Sequence, residues 1–259
     1  MTRRLDWAEY RAGEFAGIDP MRTIAILPTA AMEQHGPHLP VGVDAMIAEG
    51  MLAELRATCP DNLAIRILPV QTVGKPNEHL WAAGTLTLPA ATALDAWVEV
   101  GLSVARAGVG KIVVVNSHGG NLDLVSILVR ELRVQAGMLA VKCQWSGFGH
   151  PEGMYPPEEL AHGIHGGDVE TSLMLAFRPE TVDMTAARSF RSSAETTPIP
   201  PVGPISYGWI ASDLNPAGVA GNAAAATAAK GKATAAHQVA GFVDLLGKVT
   251  GMELPATAD

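Results

Sequence analysis

Lys111-Ile112-Val113-Val114-Val115-Asn116-Ser117-His118-Gly119-Gly120-Asn121 is the stretch on which the fold turns. Ile-Val-Val-Val has no polar alternate, so neither face is built for water. Such runs belong to parallel strands covered by helices on both sides. The chain then turns polar and glycine-rich, which ends a strand over Lys111–Val115 and leads into a helix over Asn121–Gln135. Working outward, Met138–Cys143 reads as the next strand, and Ala91–Ala107 as the preceding helix, closed by Gly108. Ala64–Val70 is a strand. Asp44–Thr58 is a helix whose apolar face is Met46, Ile47, Met51 and Leu55, with Asp44 suited to its N-cap. Thr23–Leu27 is the first strand, closed by Pro28. Downstream, Gly167–Phe177 forms a helix stopped before Pro179, and the Ala-rich stretch Asn222–Val249 a closing helix. This alternation predicts an α/β protein, one domain over residues 1–259, with a mainly parallel sheet flanked by helices on both faces. Residues 178–220 carry Pro198, Pro200, Pro201 and Pro204 with weak periodicity. So long a stretch is a functional loop, an oligomer contact or a disordered excursion.

The composition narrows the function. Hydrophobic residues make up 48% and charged residues 17% of 259 positions, which suits a globular protein with a sizeable core. The 18 Lys+Arg against 26 Asp+Glu give a net charge of −8 with no basic cluster, which argues against nucleic acid and anionic membranes as partners. Cys59 and Cys143 are too few for a disulfide scaffold and lack zinc-finger spacing. The Met1–Trp7 start has no uninterrupted apolar stretch, and no run approaches the roughly eighteen apolar residues of a membrane span. The expectation is a cytoplasmic protein.

In open α/β sheets the ligand crevice lies beyond the carboxyl ends of the strands. Glu33-Gln34-His35-Gly36-Pro37-His38-Leu39-Pro40, with Asp44, follows the first strand. Asn116-Ser117-His118-Gly119-Gly120-Asn121 follows the Val-rich strand. Loops of one sheet can converge there. Glu33 and His35 are two apart and point to one side of an extended segment, and Asp44 opens a helix from which its carboxylate can hold two cations. Mixed carboxylate and imidazole donors suit Zn, Mn or Fe better than Mg. Taken alone, Asp44 is explained by an N-cap, and the His118 turn by anion cradling. A third cluster runs from His162 through His165 to Asp168, Glu170 and Ser172. His165 is a candidate acid/base, and Glu170 either reaches the ions or faces solvent. Glu78, His79 and Trp81 follow the second strand and form a further wall, with Trp81 either flooring a pocket or simply packing.

Together, the Glu33–Asp44, Asn116–Asn121 and His165–Ser172 blocks, with Glu78-His79 to Gly84-Thr85-Leu86, resemble the signature blocks of the creatininase (creatinine amidohydrolase) family. They occur in the family's order, from about Trp7 to the last helix. The resemblance implies one α/β domain, commonly hexameric, with a pair of Zn or Mn ions and hydrolysis of cyclic amides or other C–N bonds. Carried over, Glu33, Asp44 and His118 would hold one ion, and His35 with a bridging Asp44 the other. Creatininase itself has Tyr-Glu where this chain has Gly119-Gly120, and that Glu is a ligand; Glu170 is the natural replacement. It also places Trp-Asp-x-Glu where this chain has Ala161-His162-Gly163-Ile164, so creatinine is not the expected substrate. The expected reaction is hydrolysis of a small, non-peptide amide, lactam or imide-like bond by a hydroxide held between the ions. His165 protonates the leaving nitrogen, Gly119 and Gly120 N–H groups face the oxyanion, and Glu78, His79 and Trp81 face the substrate. The alternatives are a metal-free hydrolase using Ser117 beside His118 and a non-catalytic binding or assembly protein on the same fold.

Overall fold

The computed structural model describes residues 3–254; the ends of the 1–259 span, including Met1 and Thr2 of the opening segment, lie outside the described residues. The elements run β1 (Ile24–Thr29), α1 (Val43–Thr58), β2 (Ile65–Ile67), α2 (Ala90–Arg106), β3 (Lys111–Asn116), α3 (Leu122–Ala136), β4 (Leu139–Gln144), α4 (Pro157–His162), α5 (Asp168–Phe177), β5 (Ser189–Phe190), α6 (Ala211–Leu214), β6 (Gly221–Asn222) and α7 (Ala228–Gly251). Four strands form a parallel sheet in the order β2-β1-β3-β4, and β5 and β6 make a small antiparallel pair.

The apolar run in β3 does what its composition requires. Val113 and Val115 join Ile24 and Ile26 in a core closed by Met51 of α1, Met174 of α5 and Phe242 of α7. Ile112 and Val114 point the other way, with Ala25 and Leu27, onto Trp97 of α2 and Leu128 of α3. Both faces are therefore dry, and the sheet is held between α1, α5 and α7 on one side and α2 and α3 on the other. Order runs from β1 outward to β2 in one direction and from β3 outward to β4 in the other. The loops leaving β1 and β3 consequently depart to opposite faces, and a crevice opens between their carboxyl ends. Lys111, which opens β3, is buried; its ammonium donates to the carbonyls of Val249, Thr250 and Met252 at 3.0, 2.9 and 2.5 Å, neutralising the end of α7.

Several boundaries differ from the sequence expectation. Pro28 does not close β1, which runs on through Thr29 in register with Asn116 of β3. The Pro28 carbonyl accepts from Gln71 N–H at 2.9 Å, on the flank where the β2 ladder has already ended at Ile67, so the missing N–H costs no bond of the β3 ladder. Strand β2 is shorter than Ala64–Val70: its ladder with β1 spans Ile65–Ile67, and Gln71 returns to Thr29 only as an isolated bridge. Asp44 is not an N-cap: Gly42 occupies that position, and the Asp44 side chain turns inward instead. The closing helix begins at Ala228, where the Thr227 hydroxyl accepts from Lys230 N–H at 3.2 Å. Alanine content set no start for that helix; the capping threonine did. No helix among the described residues is long and apolar enough to cross a membrane.

Helices α5 and α7 approach so closely that a Cβ on Gly231 would overlap the Ser172 carbonyl, whereas Gly247 of the same helix has open space. Gly231→Ala is expected to lower stability by about 1–3 kcal/mol through overpacking, and Gly247→Ala to raise it by about 0.5–1 kcal/mol through helix propensity. Urea denaturation of the two variants reads the difference; equal midpoints contradict this packing.

Candidate metal centre

The loops leaving β1, β2 and β3 are stitched before any functional group is placed. Thr29 Oγ1 donates to Asn116 Oδ1 at 3.0 Å, and Asn121 Nδ2 to the Ala30 carbonyl at 3.0 Å and to Asn116 Oδ1 at 3.2 Å. Asn121 Oδ1 takes Lys75 N–H at 3.0 Å. Glu33 N–H closes the first loop on the Val41 carbonyl at 2.8 Å. Glu33 and His35 then lie buried on one segment after β1, Asp44 enters from the first turn of α1, and His118, in extended conformation, enters from the second residue after β3.

These four converge. Asp44 faces one imidazole with each oxygen, Oδ1 at 3.5 Å from His35 Nε2 and Oδ2 at 3.3 Å from His118 Nδ1. Glu33 Oε1 lies 3.3 Å from His118 Nδ1 and 3.8 Å from His35 Nε2. The Glu170 carboxylate comes in from α5 to 3.7 Å from His35 Nε2, held by Gly166 N–H at 2.6 Å. Spacings of this size match the edge, about 3.4 Å, of a tetrahedron with bonds near 2.1 Å to a central ion. Glu33 Oε2, His35 Nε2, Asp44 Oδ2 and His118 Nε2 are buried with no hydrogen-bond partner among the described residues. Leaving such atoms unpaired costs about 1–3 kcal/mol each, so their clustering calls for a ligand. His35 also has its Nδ1 against the Glu33 carbonyl at 3.1 Å, which turns Nε2 toward the carboxylates, where a metal-binding imidazole needs it. The donor set fits divalent transition ions.

Charge gives the same picture. Burial pushes the Glu33 carboxyl up to about 7, against the pull of His118. Burial disfavours charge on His35 too, but Asp44, Glu170 and Glu33 outweigh it and hold the ring at about 9. His118 is raised well above its ordinary value because Glu33 and Asp44 overcome its burial. Burial works against Asp44 as well, and the two imidazoles bring it down to about 2. Buried carboxylates that hold imidazolium protons this firmly are the sites where cations bind with proton release.

The creatinine amidohydrolase family model matches residues 8–246. The chain belongs to the creatininase family. It is 30% identical over 235 residues to the mycofactocin precursor peptide peptidase of Mycobacterium ulcerans (strain Agy99), covering 87% of this chain and 85% of that one. It is 29% identical over 196 residues to the creatinine amidohydrolase of Pseudomonas putida, covering 70% and 72%. A solved creatinine amidohydrolase superposes with a TM-score of 0.72 at 26% identity, over 98% of this chain and 97% of that one. Two solved creatininases on this fold, at TM-scores of 0.70, are a Mn form and a Zn-Zn form, the latter with a Glu-to-Gln substitution.

Within this creatininase-family chain, the structure brings Glu78, His79 and His165 to the same cluster. His79 Nε2 and His165 Nδ1 lie 3.6 and 3.5 Å from Glu33 Oε1, and Glu78 Oε1 lies 3.5 Å from His118 Nε2. Burial lowers the pKa of both histidines, His79 to about 3, with the His35 charge adding to it. A Cβ on Gly120 would lie 2.5 Å from Glu78 Oε1 and 2.5 Å from His118 Nε2, so Glu78 fills the space that a side chain at that position needs. Trp81 is 46% exposed and does not pack in the core. Ser117 Oγ is buried without a partner and makes no hydrogen bond to His118, whose ring nitrogens face carboxylates instead, which removes the serine-hydrolase alternative. Asp168 pairs with Lys230 at 2.5 Å, away from this cluster, and His38 Nε2 lies 3.0 Å from both the Gly166 carbonyl and Thr171 Oγ1.

Of three further contributors, sequence reading missed Glu159 and the contacts of Gln34, and left the 178–220 stretch open as a functional loop, an oligomer contact or a disordered excursion. Glu159 of α4 is buried and takes Asp168 N–H and Asn222 N–H, each at 2.7 Å, fixing the start of α5 beside β6. The end of the 178–220 stretch reaches the site: Ala220 exchanges backbone hydrogen bonds with His165 at 3.2 and 2.8 Å. Gln34, read only as the middle of a motif, bonds His79 at 2.8 Å and the Gly218 carbonyl at 2.7 Å. Only the period-two alternation of Glu33 and His35 hinted that Gln34 has partners of its own.

Gly36, between His35 and Pro37, has φ +78°, and a Cβ there would overlap Val219. Gly36→Ala is expected to lower stability by about 2–4 kcal/mol, from left-handed strain and displacement of that segment. Thermal denaturation checks this, and a melting temperature within a degree of wild type contradicts it.

Proposed function

We propose that the chain is a metal-dependent amidohydrolase that breaks an amide C–N bond. The observation that carries this reading is the set of buried, unpartnered carboxylate and imidazole atoms around Asp44. Glu33, Asp44 and His118 would hold one ion, and His35, Asp44 and Glu170 the second, with Zn or Mn the ions that this donor set suits. When bound, such ions would supply Lewis acidity and lower the pKa of a bound water to about 7.

The protein's own groups do the rest. His165 Nε2 lies 2.8 Å from the Gln34 carbonyl and donates to it, which leaves Nδ1 bare toward Glu33. His165 Nδ1 accepts the proton released as water adds to the carbonyl and returns it to the nitrogen as the C–N bond breaks. Backbone N–H groups at Gly119 and Gly120 face the developing oxyanion. The substrate is an amide of a small molecule or a short peptide. The small-molecule reading is supported by the 29% identity to a creatinine amidohydrolase, and the peptide reading by the 30% identity to a precursor-peptide peptidase. Creatinine is disfavoured, because Ala161, Gly163 and Ile164 offer no aromatic or acidic side chain to it.

Elemental analysis of the zinc-reconstituted protein is expected to give about two ions per chain, and Asp44→Ala to lose both together. Short peptides, linear carboxamides and five-membered lactams are the assay panel, with turnover abolished by chelation and restored by zinc or manganese. A wild-type protein that takes up neither metal overturns the proposal, and an Asp44→Ala variant that keeps both ions overturns the bridging role. Efficient creatinine turnover contradicts the substrate reading.

A further inference from the structure

We propose that His79 presents a fixed, neutral Nε2–H to the carbonyl oxygen of the amide substrate, and that the Gln34 side chain is the positioning residue that sets this tautomer. The inference rests on the amidohydrolase reading above but stands on hydrogen bonding that is independent of it.

The Gln34 amide has one possible orientation. Its Oε1 accepts from Gly36 N–H at 2.8 Å, and its Nε2 donates to the Gly218 carbonyl at 2.7 Å. A backbone N–H can only donate and a carbonyl can only accept, so exchanging the amide oxygen and nitrogen would break both bonds. Gly218 holds the amide from the far side: its φ is +71°, and a Cβ there would lie 2.5 to 2.7 Å from the Gln34 amide atoms. The remaining N–H of Gln34 Nε2 has His79 Nδ1 at 2.8 Å, while His165 Nε2, which donates to the Gln34 carbonyl, lies farther off at 3.4 Å.

An N–H at that distance is met by a bare ring nitrogen. The proton of His79 therefore sits on Nε2, and doubly protonating the ring would set two N–H groups against each other. His79 Nε2 points into the cluster at 3.6 Å from Glu33 Oε1, beyond hydrogen-bond distance, so its N–H is free for another acceptor. A nitrogen carrying a proton cannot ligate a cation. Of the grouping Glu33, His79 and His165, geometrically close enough to hold an ion, His79 is thus a donor rather than a ligand.

His165 is set the opposite way by the same residue. The Gln34 backbone carbonyl takes its Nε2–H at 2.8 Å and leaves Nδ1 bare, with the two rings 4.3 Å apart. One residue therefore exposes an N–H on one imidazole and a lone pair on its neighbour. That pairing suits a carbonyl oxygen beside a proton-bearing water or nitrogen, which is the hydrogen-bond pattern of an amide undergoing hydrolysis. A neutral imidazole donating to a carbonyl oxygen polarises it without giving up its proton.

The test is long-range proton–nitrogen correlation NMR on full-length protein labelled with nitrogen-15 histidine, with zinc and without it, the His79 signals assigned by their loss in His79→Gln. The expected result is a bare Nδ1 and a protonated Nε2 in wild type. In Gln34→Glu the carboxylate accepts a hydrogen bond from Nδ1–H, so the ring proton moves from Nε2 to Nδ1 and the two signals exchange character. Zinc content should be unchanged in that variant. With whichever panel amide wild type hydrolyses, kcat should fall by about 10²–10³-fold with little change in KM. His79→Gln, which keeps an N–H, should retain more activity than His79→Ala. A protonated Nδ1 in wild type, or a kcat in Gln34→Glu within threefold of wild type, overturns the proposal. Failure to bind zinc sinks the amidohydrolase reading instead, and the tautomer is still decided by the spectrum without zinc.

Discussion

Glu33 and Asp44 sit out of reach of water at the carboxyl end of a parallel sheet, where their charges repel and have lost hydration. What makes their burial tolerable is the pair of imidazoles between them, one on each oxygen of Asp44. That arrangement needs rigid support, because like charges at such spacing would otherwise push the loops apart. The support is visible one layer out, in the Asn116 and Asn121 amides that tie three loops together and in Glu159, which pins the helix carrying Glu170. The scaffold contributes directional hydrogen bonds, and the cluster contributes the demand for cations.

Much of this was legible in the sequence, and the legible part has a common physical basis. The Ile-Val-Val-Val run in β3 could only be a strand buried on both faces, and that fixed a parallel sheet and the end of it where ligands bind. Glu33, His35, Asp44 and His118 were visible because so many carboxylates and imidazoles packed just after apolar strands have few explanations, whereas the residues alone left Glu170 open and the family resemblance supplied its role. What was not legible depends on contacts between distant residues. Asp44 reads as a helix cap to any local rule, and only the convergence of His35 and His118 turns it inward. Pro28 reads as a strand end, and only the short β2 beside it lets the strand continue.

Gly120 shows how a missing side chain reshapes the centre. Where creatininase carries a Glu, this chain has no Cβ, and the Glu78 carboxylate stands in that space beside His118. A side chain at position 120 and Glu78 in its present place exclude each other. Acidic groups thus stand on both sides of the cluster, Glu78 from the loop after β2 and Glu170 from α5, and the negative charge lost with one position is kept by residues from other elements.

The long Pro-containing stretch before α7 also finds its reason in the cluster. Its end, Gly218 to Ala220, lies against Gln34, Gly36 and His165. The alternation that sends Glu33 and His35 toward the carboxylate–imidazole cluster sends Gln34 to other partners, His79 and Gly218. All three residues of the Glu-Gln-His segment are therefore in use, two for charge and one for hydrogen-bond direction. A carboxylate or a hydrocarbon side chain at the middle position preserves the outer spacing of the segment while losing the amide that donates and accepts at once. The identity of the middle residue is thus as constrained by the chemistry as the two it separates.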